Sequence, residues 1–224
     1  MSFRPTVAFL LIVLSVPGST DAADPVPLWG RWDASFLARA AAGSETELTA
    51  LLQAPSGTTR TVAGFWDGGP RWRVRFMPDE VGTWRFRTKA SPPVEGLHDQ
   101  SGSFECRRSE VPSSSDRFLT HGPIQVADNR RYLQHRDGTP FFWLGDTTWN
   151  GPLLSDQKDW ATYLADRAAK RFSVIQFNVL APWRTAATDA EGRVAFTGQD
   201  PITINPEFFQ RLDSRMDAIN AAGL

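Results

Sequence analysis

Gly138-Thr-Pro-Phe-Phe-Trp-Leu-Gly-Asp-Thr-Thr-Trp-Asn-Gly151 decides how the rest of the chain is read. Pro140 to Gly145 is a short apolar run, the composition of a buried strand, and it ends on a carboxylate, Asp146. Trp149 and Asn150 follow at once. An apolar strand that delivers Asp, Trp and Asn into a loop has the form of the first strand of a (β/α)8 barrel, in which functional groups sit at the C-terminal strand ends.

Downstream, a helix is expected from Ser155 to Arg171, capped by Ser155 or Asp156, with Trp160, Leu164 and Ala168 as its buried stripe. Phe172 to Leu180 reads as a second strand in which Ile175, Phe177 and Val179 alternate with Gln176 and Asn178. A polar loop, Ala181 to Thr203, carries Trp183 and Arg184. Asn205 then caps a last helix with Pro206 at its first position, Phe209, Leu212, Met216 and Ile219 as its stripe, and Gly223 as its stop. Strand, helix, strand, helix argues for parallel βα units. A (β/α)8 TIM barrel takes about 250 residues. Residues 118–224 are fewer than half of that, so they are expected to be the N-terminal portion, about two βα units, of an incomplete barrel.

Upstream the period changes to two. Arg71-Trp-Arg-Val-Arg-Phe-Met77 sets Trp72, Val74 and Phe76 on one face and Arg71, Arg73 and Arg75 on the other, and Thr83 to Thr88 alternates again around Trp84 and Phe86. Leu28 to Trp32, Glu47 to Gln53, Thr58 to Trp66 and Ser101 to Arg107 complete a set of short strands separated by Gly/Pro turns. This is the pattern of an Ig-like β-sandwich over residues 23–107. Trp72 and Trp84 are expected in its core, packed against each other. The arginine ladder (Arg71, Arg73, Arg75, Arg85, Arg87) reads as a solvated outer face paired with acids such as Asp79 and Glu80, in preference to an anion-binding face. The Ser/Pro-rich segment 108–117 reads as a linker.

Residues 1–22 have the form of a signal peptide: Arg4, an apolar run from Val7 to Val16, the break at Pro17-Gly18, and small residues before Ala23. The mature chain is therefore expected to be secreted or periplasmic, with no membrane partner after cleavage. A formal net charge of −1 offers no electrostatic reason to expect nucleic acid. Cys106 is the one cysteine and reads as a buried, inert thiol. His98, His121 and His135 are scattered without metal-ligand spacing and read as turn or surface residues, so neither metal nor cofactor is expected.

In the barrel reading, Asp146, Leu144 and Phe142 point to the axis together, as do Gln176 and Asn178. Asp146, Trp149, Asn150, Gln176, Asn178, Trp183 and Arg184 are then the candidate substrate-binding residues. Amides and carboxylates hydrogen-bond hydroxyls, and indole faces pack on the C–H faces of sugars, so the expected partner is a carbohydrate. The plain structural roles stay open: Asp146 as a brace, Asn178 as a partner of backbone groups, and the tryptophans as packing residues. Glycoside hydrolysis needs two carboxyl groups flanking the scissile bond. Asp146 is the one acid at a predicted strand end, while Asp189, Glu191 and Asp200 fall in the polar loop, where a surface position is the default. The catalytic residues are therefore unassigned.

Phe76-Met-Pro-Asp-Glu-Val-Gly-Thr-Trp-Arg-Phe-Arg87 resembles the hallmark of a β-sandwich domain of unknown function that precedes many bacterial glycoside hydrolases. Asp137 to Trp149, the helix from Ser155 and Val174-Ile-Gln-Phe-Asn178 together resemble the opening of the apiosidase-like glycoside hydrolase domain. The resemblance implies an exported (β/α)8 enzyme that cleaves branched plant-polysaccharide side chains by acid/base hydrolysis, apiose-containing pectin being one substrate class. It places the catalytic pair beyond Leu224 and Asp146 in the substrate site. The alternative is a non-catalytic carbohydrate-binding or structural module with the sandwich as its working part.

Overall fold

A computed structural model describes residues 24–43, 45–110, 116–180 and 188–224. The expected signal peptide lies outside the described residues.

Seven strands form the first region: β1 (Val26–Pro27), β2 (Trp32–Leu37), β3 (Glu47–Gln53), β4 (Thr59–Trp66), β5 (Arg71–Phe76), β6 (Gly82–Ser91) and β7 (Ser101–Arg107). They pair in the order β1-β7-β6-β3-β4-β5-β2. β4 makes the fold by changing partners. Thr59 to Ala63 pair with β3, whereas Gly64 to Trp66 pair with β5. The sheet therefore turns over on itself, and Gly64 permits the corner, since a Cβ there would lie 2.7 Å from Leu48 Cδ2 and 2.9 Å from the Arg73 carbonyl oxygen. The two layers meet through aromatic rings. Trp32 stacks on Phe104 at 4.6 Å and meets Phe86 at 5.1 Å; Trp84 packs on Phe76 at 4.9 Å and Phe104 at 6.2 Å. Trp72 and Trp84 are both buried as expected, but Trp84 takes phenylalanines as its ring partners.

Cys106 lies fully buried in this core, where desolvation pushes its thiol up to about 11. We predict no alkylation of the native protein by iodoacetamide at pH 8 and complete alkylation in denaturant. Rapid native labelling would contradict that burial.

The second region begins with α1 (Arg117–His121), whose N-cap Asp116 accepts from the amides of Phe118 and Leu119. β8 (Ile124–Val126), β9 (Leu133–His135) and β10 (Pro140–Phe141) form an antiparallel meander. His135 is a buried residue here, not a surface one: its Nδ1 lies 2.7 Å from the Gly122 carbonyl, and its ring meets Phe118 and Phe141. Gly122 has φ 82°, and a Cβ there would lie 3.0 Å from the Trp29 indole, so the first region wedges directly against this turn.

β11 (Gly145–Trp149), α2 (Gly151–Leu154), α3 (Gln157–Ala169) and β12 (Val174–Phe177) follow, with β11 and β12 parallel. This is the expected strand-helix-strand unit. A hairpin, β13 (Phe196–Thr197) with β14 (Thr203–Ile204), leads to α4 (Pro206–Ala221), capped by Asn205 as read from the sequence. Trp160 and Leu164 of α3 pack with Ile219 of α4 and with Ile175 and Phe177 of β12.

Three further expectations about these elements need correction. The stretch from Pro140 to Gly145 is not one buried strand: it splits between β10 and β11, and among the described residues Phe142 is 79% and Trp143 55% exposed. The buried face of α4 uses Phe208 and Arg215 with Ile219, while Met216 is exposed. Arg215 is buried because it donates to the Ser155 carbonyl, and Arg211 beside it donates to the Pro152, Leu153 and Ser155 carbonyls. Both thus satisfy oxygens at the end of α2 that have no helical partner.

The third concerns the arginine ladder, in which Arg71 is exposed as expected but Arg73 and Arg75 are half-buried. Arg73 binds Asp67 at 2.6 Å and Asp33 at 3.2 Å. Arg75 binds Asp33 at 3.0 Å and forks onto Asp213 of α4 at 2.6 and 2.8 Å. With Arg31 on Asp217 and Gln210 on Asp67, these pairs fasten one face of α4 to the first region.

Candidate functional site

The C-terminal ends of β11 and β12 lie side by side, and α2 starts one residue beyond β11. In a parallel pair, residues in register share a face. Asp146 is opposite Ile175, and Ile175 packs under α3, so both belong to the helix-facing side. Thr147 and Gln176 are opposite each other on the other side, and both are exposed.

Asp146 is accordingly not at a strand end and not on the open face of the β11–β12 pair. One of its oxygens accepts from the Tyr163 hydroxyl at 2.9 Å and from Arg167 Nη1 at 2.9 Å. Desolvation and the hydrogen bond to Asp146 push the Tyr163 hydroxyl up to about 12. Arg167 also binds Asp166, and its guanidinium lies over the Tyr163 and Phe172 rings. Asp146 is thus the brace that ties β11 to α3. The partners Tyr163 and Arg167 escaped the sequence reading, although their i, i+4 spacing beside the Trp160–Leu164 stripe places them on one side of the helix.

The register shifts between Thr147 and Trp149, and Trp149 has φ 48°. The left-handed region costs a bulky residue about 1–3 kcal/mol. This kink carries the Trp149 indole, 59% exposed, out of the strand, while its carbonyl accepts from the Asn178 amide at 2.8 Å. Asn150 occupies the N-cap position of α2 without a side-chain cap bond. Its Oδ1 is buried and has no hydrogen-bond partner among the described residues, and the same holds for Asn178 Nδ2. An acceptor and a donor, both unmatched among the described residues, therefore stand at adjacent strand ends, next to the exposed indole. Trp183 and Arg184 lie outside the described residues.

Asp189 is buried rather than a surface acid. Burial disfavours its charge, yet bonds from the Arg193 amide and guanidinium and from the Glu191 amide hold the carboxyl below its usual range. These bonds close its own loop. Among the described residues no group of three or more His, Cys, Asp or Glu could hold a metal ion, and no helix is long and apolar enough to cross a membrane.

Residues 127–224 match the family model "Apiosidase-like, catalytic domain", and residues 25–91 match a domain of unknown function (DUF5060). A crystal structure from Bacteroides vulgatus, assigned to the glycoside hydrolases, superimposes with a TM-score of 0.69 at 23% identity, over 90% of this chain and 40% of that one. At that identity the likeness concerns the fold alone. A family 5 glycoside hydrolase of the same organism aligns at a TM-score of 0.40 and 23% identity, over 47% of this chain and 23% of that one, and adds nothing to it. A 115-residue segment is 30% identical to the tRNA(Met) cytidine acetyltransferase TmcA of Nitrosococcus halophilus (strain Nc4), covering 51% of this chain and 14% of that protein. The chain thus spans well under half of both the first structural neighbour and this relative. The two family matches fall in the order of the two structural regions: residues 25–91 are similar to the domain of unknown function, and residues 127–224 are similar to the apiosidase-like catalytic domain.

Proposed function

We propose that these residues belong to an exported glycoside hydrolase that acts on side chains of plant cell-wall polysaccharide, apiose-containing pectin among them. Residues 1–22 serve as its signal peptide, residues 23–107 as an Ig-like sandwich, 108–117 as a linker, and 118–224 as the first part of a (β/α)8 barrel. The protein works outside the cytoplasm, in the periplasm or medium. The reaction is acid/base hydrolysis of a glycosidic bond without a cofactor.

One observation carries this reading: Asn150 Oδ1 and Asn178 Nδ2, unmatched among the described residues, beside an exposed Trp149 at the ends of two parallel strands. A buried polar atom without a partner costs about 1–3 kcal/mol. A sugar hydroxyl is both donor and acceptor, so once rotation of the two side chains turns these atoms outward it can give to the first amide and receive from the second, recovering that cost on binding. The Trp149 face takes the C–H side of the ring, and Gln176 and Thr147 offer further polar contacts along the open face. Asp146 acts as a positioning residue that holds β11, and with it Trp149. Trp183 and Arg184, which lie outside the described residues, are further candidates for sugar contact.

The test is calorimetric titration of the protein with pectic and hemicellulosic oligosaccharides. Asn178→Leu and Trp149→Ala are each expected to weaken binding about tenfold, the equivalent of one lost hydrogen bond or stacking contact. Binding to none of these sugars, or unchanged affinity in both variants, would refute the reading.

A further inference from the structure

The second half of the arginine ladder has a different fate from the first. On β6, Trp84, Thr88 and Ala90 point into the core, which leaves Arg85, Arg87 and Lys89 standing in a row on the outer face. Alternate strand residues are about 7 Å apart, so the row extends roughly 13 Å. Its cross-strand neighbours on β3 and β7 are uncharged. Gln53 and Ser103 flank Arg85, Leu51 and Ser101 flank Arg87, and Thr49 lies beside Lys89. One strand further out, β4 sets Thr59 and Thr61 on the same face, opposite Gln53 and Leu51. Arg87 is paired with Asp99, but among the described residues neither Arg85 nor Lys89 has a carboxylate within 4.0 Å. The acids at the edges are Glu105, which accepts from Thr83, and Glu47 at the far end of β3.

A shallow trough of about 610 Å³ runs along Arg87 and Lys89, lined also by Leu51, Thr49, Thr61 and His98, and by Asp99, whose carboxylate is taken up by Arg87. Leu51 is 50% exposed there. Cations at a regular interval, hydroxyls on both sides and an apolar side chain between them form a surface for an extended, hydroxyl-rich polyanion. We propose that this outer sheet face binds an acidic polysaccharide. Uronate carboxylates pair with Arg85 and Lys89, sugar hydroxyls bond the Thr and Ser rows, and ring C–H groups lie on Leu51. None of the strand positions named on this face is aromatic, and base stacking supplies much of the affinity in single-stranded nucleic-acid sites. That favours the polysaccharide over a nucleic acid.

The proposal is independent of the strand-end site and is tested separately from it. In the full chain carrying Trp149→Ala and Asn178→Leu, binding to polygalacturonate is measured by affinity electrophoresis at low salt, with neutral galactan as the comparison. Adding Arg85→Gln and Lys89→Gln is expected to weaken polygalacturonate binding about five- to tenfold, the scale of two exposed ion pairs. Removing two charges elsewhere, Arg131→Gln with Lys158→Gln, should leave it unchanged, and galactan should bind more weakly throughout. No polygalacturonate binding, an equal loss in the control pair, or tighter binding to single-stranded DNA or anionic vesicles would overturn the proposal.

Discussion

Replacing Trp84 by alanine is expected to destabilise the protein by about 3–5 kcal/mol, the cost of emptying a large aromatic site in a close-packed core. Trp84 is fully buried, and its ring lies against Phe76 and Phe104, one from each neighbouring strand layer. Its Nε1 also donates to the Glu80 carbonyl at 2.9 Å. The Glu80 carboxylate in turn holds the Ser56 amide and hydroxyl at the next turn. Loss of the indole therefore opens a cavity and frees two turns together. Trp84→Phe keeps most of the apolar area and loses the N–H bond, at an expected cost of about 1–2 kcal/mol. Urea denaturation of the two variants checks the order. A Trp84→Ala cost no greater than that of Trp84→Phe would mean that the ring does not organise the core.

Arg75→Ala is expected to uncouple α4 from the sheet. The guanidinium makes charge-assisted bonds to Asp33 and a fork to Asp213, and its side chain is 29% exposed. The hydrogen bond to Asp213 raises its pKa above the ordinary arginine value against the opposing desolvation, so the charge persists at every working pH. Bonds to charged groups contribute about 1.5–3 kcal/mol when partly buried. That amount should be lost, and a single calorimetric unfolding transition should broaden or split as the two regions melt separately. Arg75→Lys keeps the charge but cannot fork between two carboxylates, so it should recover only part of the coupling. A transition that stays sharp and merely shifts in Arg75→Ala would show that Arg31, Gln210 and the Trp29 wedge suffice.

The strands of the first region were legible because each is buried on one face. Trp72 and Val74 against Arg71 and Arg73 leave no doubt about period or side. Asn205-Pro206 was equally readable, since a cap followed by proline defines a helix start from local chemistry alone. What could not be read was any feature set by a distant partner. Arg75 looks like a surface residue until Asp213 is brought to it, and Arg215 breaks the apolar stripe of α4 because its partner is a carbonyl 60 positions away. In the same way, Phe142 and Trp143 have the composition of a strand, but the Ser173 hydroxyl, bonded to the Phe142 carbonyl and the Leu144 amide, holds the chain in a link between two short strands. Gln176 falls on the open face as its alternation indicated. Asp146 falls on the helix side because β11 starts at Gly145 instead of ending there, and a change of register moves a side chain to the opposite face.

α4 presents Gln210, Asp213 and Asp217 to the first region, and Phe208, Arg215 and Ile219 to the second. Synthesis makes these two faces unequal in time. At about 5–20 residues per second the sandwich strands have all left the ribosome roughly 5–20 s before α4 does, and domains fold as units from the N-terminus. Arg31, Arg75 and Asp67 are then already fixed when the helix emerges. The sandwich is a mould waiting for a later part of its own chain, and it sets where α4 lies before the strands beneath that helix have anything else to pack against.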